Sequence, residues 1–385
     1  MKKIILLGSF LLFVLLPKSA YAIENPLSVP NNKIGIHVLF DHELKQAATL
    51  VNSTNGDWGY VTITIQTGDR DLEKWQIFMN DAKKYHLIPI IRLATDGDYF
   101  DNKVWRKPHD SDIVDFANFL NSLDWPVKNR YVIIFNEVNR ANEWGGNVNP
   151  DEYANLLSYA VTVFKSKSPD FFIMPAGLDN AAPNQPNDYM NEYDFMRQMN
   201  EAVPGIYSQI DGLSSHSYPN PGFSMPPQIN CFSCINSFQY EKAVASTMTT
   251  KNLPVFLSET GWSSDKVSDK QIAGYYLFAL NNAWNDPSIV AITPFLLQGS
   301  NSPFQQFSFL GPTDTLSQRY LAWKNVAKIK GKPTLANNVL AAETTYSNDE
   351  EKTYPMRDFS KVIVENKQIT PSKALKTAFK WLLKL

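Results

Sequence analysis

The sequence predicts an α/β fold, a (β/α)8 TIM barrel, and three observations carry that prediction. Short apolar runs rich in β-branched and aromatic residues recur eight times between Lys33 and Ala327. A longer stretch of helical periodicity follows each one. Their starts, near Lys33, Tyr60, Leu87, Tyr131, Phe171, Ile210, Leu253 and Val290, are 27 to 44 residues apart. Such intervals hold a strand, a crossover helix and two loops, as neighbouring parallel strands require. A doubly wound open sheet is the competing arrangement, but it normally opens on a glycine-rich first turn, and the chain contains no Gly-x-Gly-x-x-Gly.

Ahead of the barrel, Met1 to Lys3 are basic, Ile4 to Leu16 are almost wholly apolar, and Ala20-Tyr21-Ala22 places small residues two apart. This is the pattern of a secretory signal peptide over residues 1–22. The apolar run of 13 residues falls short of the about 20 that a spanning helix needs, which favours export over an uncleaved anchor. Within the barrel (33–327), the clearest strands are Val61-Thr62-Ile63-Thr64-Ile65, Pro89-Ile90-Ile91-Arg92-Leu93, Tyr131-Val132-Ile133-Ile134-Phe135 and Val255-Phe256-Leu257. Asp112 to Leu123 puts Ile113, Phe116, Ala117 and Leu120 on one helical face, and Pro150-Asp151-Glu152 opens another helix with acidic residues in its first turn.

Beyond Ala327 the alternation stops. Residues 328–370 read as a polar linker or extension, with Asn348-Asp349-Glu350-Glu351-Lys352 at its most charged point. Residues 371–385 predict an amphipathic basic helix, with Leu375, Phe379, Leu382 and Leu383 on one face and Lys373, Lys376, Lys380 and Lys384 on others. The plain reading is a helix docked on the barrel or a partner; weak contact of 372–385 with an anionic membrane surface is the other.

Composition excludes whole classes of function. Of 385 residues 44% are apolar and 19% charged, which rules out a disordered, collagenous or coiled-coil chain. Without residues 1–22, 33 basic side chains face 38 acidic ones, so the basic excess that a nucleic-acid partner demands is missing. The two cysteines, Cys231 and Cys234, have the spacing of a redox motif or half a zinc site. No second pair accompanies them and the five histidines do not cluster around them. A local disulfide in the loop after the sixth strand is the preferred reading, with free thiols next. The chain has no His-Glu-x-x-His, no Gly-x-x-x-x-Gly-Lys and no Gly-x-Ser-x-Gly, so metalloprotease, nucleotidase and esterase chemistry are set aside, and neither a metal nor a cofactor is expected.

In a barrel of this kind the active site lies at the C-terminal ends of the strands, so polar residues directly after apolar runs are the informative ones. Strand four runs into Asn136-Glu137-Val138-Asn139 and strand seven into Ser258-Glu259-Thr260-Gly261-Trp262. Cleaving a glycosidic bond needs a proton for the leaving oxygen and an anion at the oxocarbenium-like carbon, and two carboxyl groups in different environments divide those tasks. Arg92 ends strand three and offers a cation for one of them. His216 and Tyr218, after strand six, offer donors to orient a carboxylate. Loop aromatics Tyr99, Trp105, Trp144, Trp262, Phe304 and Phe307 offer faces for sugar rings, and suggest an open cleft and endo action. The competing reading gives each glutamate to a loop-holding ion pair at the barrel rim and each ring to loop packing.

The placement of Asn136-Glu137, His216-Ser217-Tyr218 and Glu259 resembles the clan of retaining (β/α)8 glycoside hydrolases that includes cellulases, mannanases, galactanases and xylosidases. That resemblance covers Lys33 to Ala327. It implies Glu137 as general acid/base, Glu259 as nucleophile, Asn136 as partner of the sugar 2-hydroxyl, and Tyr218 as partner of the nucleophile. The reaction it implies is double displacement on a β-linked oligo- or polysaccharide. Arg92, His216, Trp262 and Gln298 complete the expected binding set. The chain departs from the clan in two places. Val138 stands where many members have proline. The strand-eight run Ile292-Thr293-Pro294-Phe295-Leu296-Leu297-Gln298 lacks the usual tryptophan, leaving Phe295 or Gln298 to take its position. A carbohydrate-binding or scaffold protein that has lost turnover, and a transglycosylase, are the alternative functions.

Overall fold

The structure, a computed structural model, describes residues 23–95, 104–299, 304–311 and 315–336. The signal-peptide segment 1–22, Tyr99, residues 337–370 of the extension and the basic helix 371–385 lie outside the described residues. In chain order the elements are β1 (Gly35–His37), α1 (Leu44–Val51), β2 (Gly59–Gln66), α2 (Leu72–Lys84), β3 (Leu87–Ala94), α3 (Asp110–Asn121), β4 (Arg130–Ile134), α4 (Pro150–Lys167), β5 (Phe171–Pro175), α5 (Glu192–Ala202), α6 (Ile206–Gln209), β6 (Leu213–His216), α7 (Ser237–Ser246), β7 (Val255–Glu259), α8 (Asp269–Asn281), β8 (Ile289–Ile292) and α9 (Gln318–Asn325).

Among the described residues, the pairings between these strands are all parallel. Strands β1 to β5 form one run and β6 to β8 another, each in sequence order. The two runs meet at both edges. Ile34 bridges to Ile292 beside a hydrogen bond from Ile292 N to Lys33 O (2.8 Å), and Asp211 N donates to Ile173 O (2.9 Å) next to a bridge between Asp179 and His216. The largest departure from the expected strand starts is at β6, which begins at Leu213 rather than near Ile210. The reason is local: the Asp211 carboxylate accepts from Ile173 N (2.8 Å) and pairs with Lys165 (2.7 Å), so those residues cap the seam instead of extending the ladder.

The helices start and stop where side chains satisfy free backbone donors. Asn149 accepts from Glu152 N ahead of Pro150, and Asp71 accepts from Glu73 N and Lys74 N at the start of α2. Ile113, Phe116, Ala117 and Leu120 of α3 are all buried, as their spacing demands. Alternation along the strands divides the core. Val61, Ile63, Ile65, Ile91 and Leu93 face the helices, whereas Tyr60, Ile88, Ile90, Tyr131, Ile133, Phe172, Met174 and Phe256 fill the barrel interior. Tyr60, Tyr131, Phe172 and Phe256 pack edge-on or tilted at 5.0 to 6.4 Å and close the barrel floor. Polar pairs lie above them, Thr62 with Thr293 (2.9 Å) and Ser214 with Ser258 (2.7 Å).

The last described helix locks the seam between β8 and β1. Trp323 is fully buried, its indole N–H donates to Gly35 O (3.0 Å), and its ring packs on Tyr276, Trp284 and Phe309. Trp323→Ala removes that volume and the bond together and is expected to cost about 3–5 kcal/mol, read as a lowered denaturant midpoint at unchanged slope.

Candidate active site

The site stands on strand ends. Arg92 closes the inward face of β3; its Nη1 donates to Asn136 Oδ1 (2.8 Å) and to Glu259 Oε1, and its Nε donates to Thr64 Oγ1 (3.1 Å). Tyr218 donates its hydroxyl to the other Glu259 oxygen (3.0 Å). Glu259 therefore has both carboxylate oxygens held. Burial opposes its ionisation, but the nearby His216 and Arg92 charges and the Tyr218 bond outweigh it and hold the carboxyl at about 2.

Glu137 is held differently. Its Oε1 lies 3.0 Å from His216 Nδ1, and its Oε2 accepts from Arg140 Nη1 (3.0 Å), a guanidinium that also stands 3.7 Å from Asp179. Burial raises the tendency of Glu137 to be protonated, yet the His216 bond and the Arg140 charge together keep its pKa below the ordinary 4.5. One oxygen of Glu137, one of Glu259 and a ring nitrogen of His216 all lie within 4.8 Å of one another. That trio has the spacing of a metal site. Arg92 and Arg140 already bind the carboxylates that a cation would need, so the arrangement fits hydrogen-bonded carboxylates better than a metal.

The backbone aims Glu137. Phe135 and Glu137 take φ of 69° and 35°, a region costly for residues with a Cβ. Neighbours hold them there: Glu137 N donates to Gly177 O (2.9 Å), Tyr153 Oη donates to Ile134 O (2.9 Å), and the buried Asn139 spans to Asp179 and Met190. Gly177 serves a second purpose, since a Cβ there would collide with the His216 imidazole.

A cavity of about 240 Å3 opens over these groups. Its two ends differ. Around Glu137 stand Arg140, Glu143, Asp179 and Asn136; beyond Glu259 the wall is Leu39, Phe223, Phe295, Phe304 and Phe307. Of the residues expected from sequence, Arg92, Asn136, Glu137, Tyr218 and Glu259 line this cavity, and His216 lies fully buried against Glu137. Trp262 is a correction. It is fully buried, donates Nε1 to Met225 O (2.8 Å) and packs on Tyr275, Tyr276 and Trp284, because the chain turns at Gly261 (φ 151°) and sends the next side chain into the helix layer. Gln298, whose backbone bridges to Leu310, is not among the residues that line the cavity, whereas Phe295 is. Trp144 likewise packs on Phe135 and Tyr153 in the core, while Trp105, Phe304 and Phe307 reach the cavity.

Four groups at the site escape sequence reasoning. His37, on the three-residue β1, is buried with Nε2 3.7 Å from Glu259 Oε1, and burial, then the Arg92 charge, push its pKa down to about 3, so it is neutral. Arg140, Glu143 and Asp179 come from loops. The signal available for the first two is their position, three and six residues after Glu137. Cys231 and Cys234 form a disulfide, the preferred sequence reading, in the loop after β6. No helix among the described residues is long and apolar enough to cross a membrane.

No protein-family model matches the chain, and no curated protein matches it in sequence. Solved structures do. A family 39 glycoside hydrolase from the gut symbiont Bacteroides cellulosilyticus WH2 matches with a TM-score of 0.54 at 15% identity, over 79% of this chain and 64% of that one. A family 39 β-xylosidase from Caulobacter crescentus matches with 0.54 at 12% identity, over 77% and 72%. An exo-β-1,4-mannosidase from Opitutaceae bacterium strain TAV5 matches with 0.50 at 12% identity, over 80% and 60%. This chain thus spans under two thirds of the length of the first and the last. The described residues have the (β/α)8 fold of the glycoside hydrolase clan that the sequence resembles, and no one family within it is singled out.

The Glu137–His216 contact depends on the bare Cα of Gly177. Burial lowers the His216 pKa, but the Glu259 charge and the bond and charge of Glu137 more than offset this and hold it above 6.5. Gly177→Ala should displace the ring, and the His216 titration midpoint followed by NMR should fall.

Proposed function

We propose that the protein is a retaining glycoside hydrolase acting on a β-linked oligo- or polysaccharide, exported through residues 1–22. The observation that carries this reading is the approach of Glu137 and Glu259 to within 4.8 Å across one cavity, each with its own set of partners. Retaining glycosidases place their carboxyls about 5–5.5 Å apart and inverting ones about 6.5–9.5 Å apart, and the close approach of one oxygen of each acid favours the retaining arrangement.

The geometry suits a division of labour. Glu259, fixed by Arg92 and Tyr218 and ionised throughout the physiological range, is the nucleophile that attacks the anomeric carbon. Glu137, at the more polar end, protonates the leaving oxygen and then deprotonates the water that releases the glycosyl-enzyme. Asn136, with its Oδ1 held by Arg92, is placed to bind the hydroxyl beside the reacting carbon. The glycoside hydrolases with this fold support the reaction class. They do not select the sugar. Endo action loses two of its supports, because Trp144 and Trp262 are core residues.

An array of defined polysaccharides scored for new reducing ends tests the proposal. Wild-type protein should cleave at least one, Glu259→Gln should abolish cleavage, and Glu137→Gln should slow it by about 10²–10⁴-fold. Glycan binding without cleavage by the wild type would instead mean a scaffold protein, and chain-lengthened products a transglycosylase.

A further inference from the structure

The strand order sorts the side chains around the two acids. Glu137 and its neighbours Arg140 and Asp179 come from the chain after β4 and β5. The wall on the Glu259 side, Leu39, Phe223, Phe295, Phe304 and Phe307, comes from the chain after β1, β6 and β8. Its rings stand against the partners of Glu259. Tyr218, which donates to that carboxylate, has Phe223 at 5.0 Å and Phe307 at 6.1 Å, and His37, 3.7 Å from it, has Phe295 at 5.0 Å.

These rings do not make a flat platform. Phe223 meets Phe307 at 89°, and Phe295 meets Phe307 at 74° and Phe304 at 67°, with centroids 5.1 to 6.0 Å apart. Rings crossed at such angles enclose a concave corner, which suits a small protruding group better than the broad face of a sugar. The wall side chains carry no polar atom. Asn220, the amide next to Phe223 in the cavity lining, is already engaged: its Nδ2 donates to Asn180 Oδ1 (2.8 Å) and its Oδ1 accepts from Phe223 N (3.4 Å). Tyr218 gives its hydroxyl proton to Glu259. A hydroxyl entering the corner would lose its water without gaining a side-chain partner, and a carboxylate would lose more.

The proposed reaction says which part of the substrate reaches that corner. The anomeric carbon lies at Glu259, the leaving oxygen at Glu137, and the hydroxyl on C2 at Asn136, which follows β4. In a barrel of eight strands in sequence order, β4 and β8 lie across the mouth from one another. The second neighbour of the anomeric carbon is the ring oxygen, so C5 and its substituent point away from Asn136, toward Phe295 and the rings around it.

We propose that this corner holds the C5 substituent of the transferred sugar and that the substituent is a methyl group, which makes the substrate a β-linked 6-deoxyhexoside. This rests on the glycosidase reading. Phe223, Phe295 and Phe307 are then specificity-determining. A hexose adds an unpartnered oxygen to the same shape, a uronic acid adds an unpaired charge, and a pentose leaves the corner unfilled.

Sets of 4-nitrophenyl β-glycosides in the gluco, galacto and manno configurations, with methyl, hydroxymethyl, carboxylate or hydrogen on C5, test this. In the reactive set, kcat/KM should favour the 6-deoxyhexoside by about 10–100-fold over the hexoside and the pentoside, with the uronide slower still. Phe223→Asn places an amide on the wall, at a half-buried position whose φ of 57° asparagine tolerates, and should cut the preference over the hexoside by about 10-fold; Phe223→Leu should keep it. A hexoside, pentoside or uronide cleaved as fast as the 6-deoxyhexoside overturns the proposal, as does a preference that Phe223→Asn leaves unchanged. Calorimetric binding of the matching iminosugars, with and without the 6-hydroxyl, reads the corner without turnover. A wild type that cleaves nothing yet binds the 6-deoxy member about 10-fold or more tightly sinks the glycosidase reading and keeps the corner, whereas binding of neither member overturns both.

Discussion

Burying two carboxylates within 4.8 Å of one another inside a barrel is the constraint from which the surrounding structure follows. Each charge removed from water needs a counter-charge and filled lone pairs. Arg92 and Tyr218 serve Glu259, and Arg140 and His216 serve Glu137. His216 Nδ1 stands 3.0 Å from one acid and 3.8 Å from the other, so its cation lowers the repulsion between them. The same contacts make the acids unlike. Glu259 is held by donors on both oxygens near the apolar wall, and Glu137 shares the polar end of the cavity with Glu143 and Asp179.

That constraint reaches outward through the scaffold. The left-handed backbone at Phe135 and Glu137 persists because β5, Tyr153 and Asn139 over-determine the end of β4. The aromatic floor of Tyr60, Tyr131, Phe172 and Phe256 fills the barrel beneath the charges with mainly apolar side chains, an environment in which electrostatic contacts are stronger than in water. Hydrogen bonds and ion pairs within the protein fix the orientation of both carboxylates, and preorganised charge is a main resource of enzyme catalysis.

The barrel was legible because parallel strands and crossover helices impose two periodicities that no other architecture repeats eight times. The two glutamates were legible because each ends a strongly apolar strand, and Arg92 for the same reason. What stayed hidden depended on turns. A strand end says that a side chain is near the mouth, not which way it points. Trp262 is a single glycine from Thr260, yet that turn carries it into the helix layer, while Phe295 reaches the cavity from a strand that lacks a tryptophan. His37 lies on a strand too short to show a period, and Arg140, Glu143 and Asp179 gain meaning only once the loops after β4 and β5 are laid side by side.

The account stands most directly on the covalent role of Glu259. Incubation with a panel of 2-deoxy-2-fluoro glycosides bearing good leaving groups, followed by intact-protein mass measurement and peptide mapping, traps the intermediate of a double displacement. One glycosyl unit per chain, on the peptide containing Glu259, is the expected result. An adduct on any other carboxylate, or turnover of a matching substrate with inversion at the anomeric carbon, would contradict it.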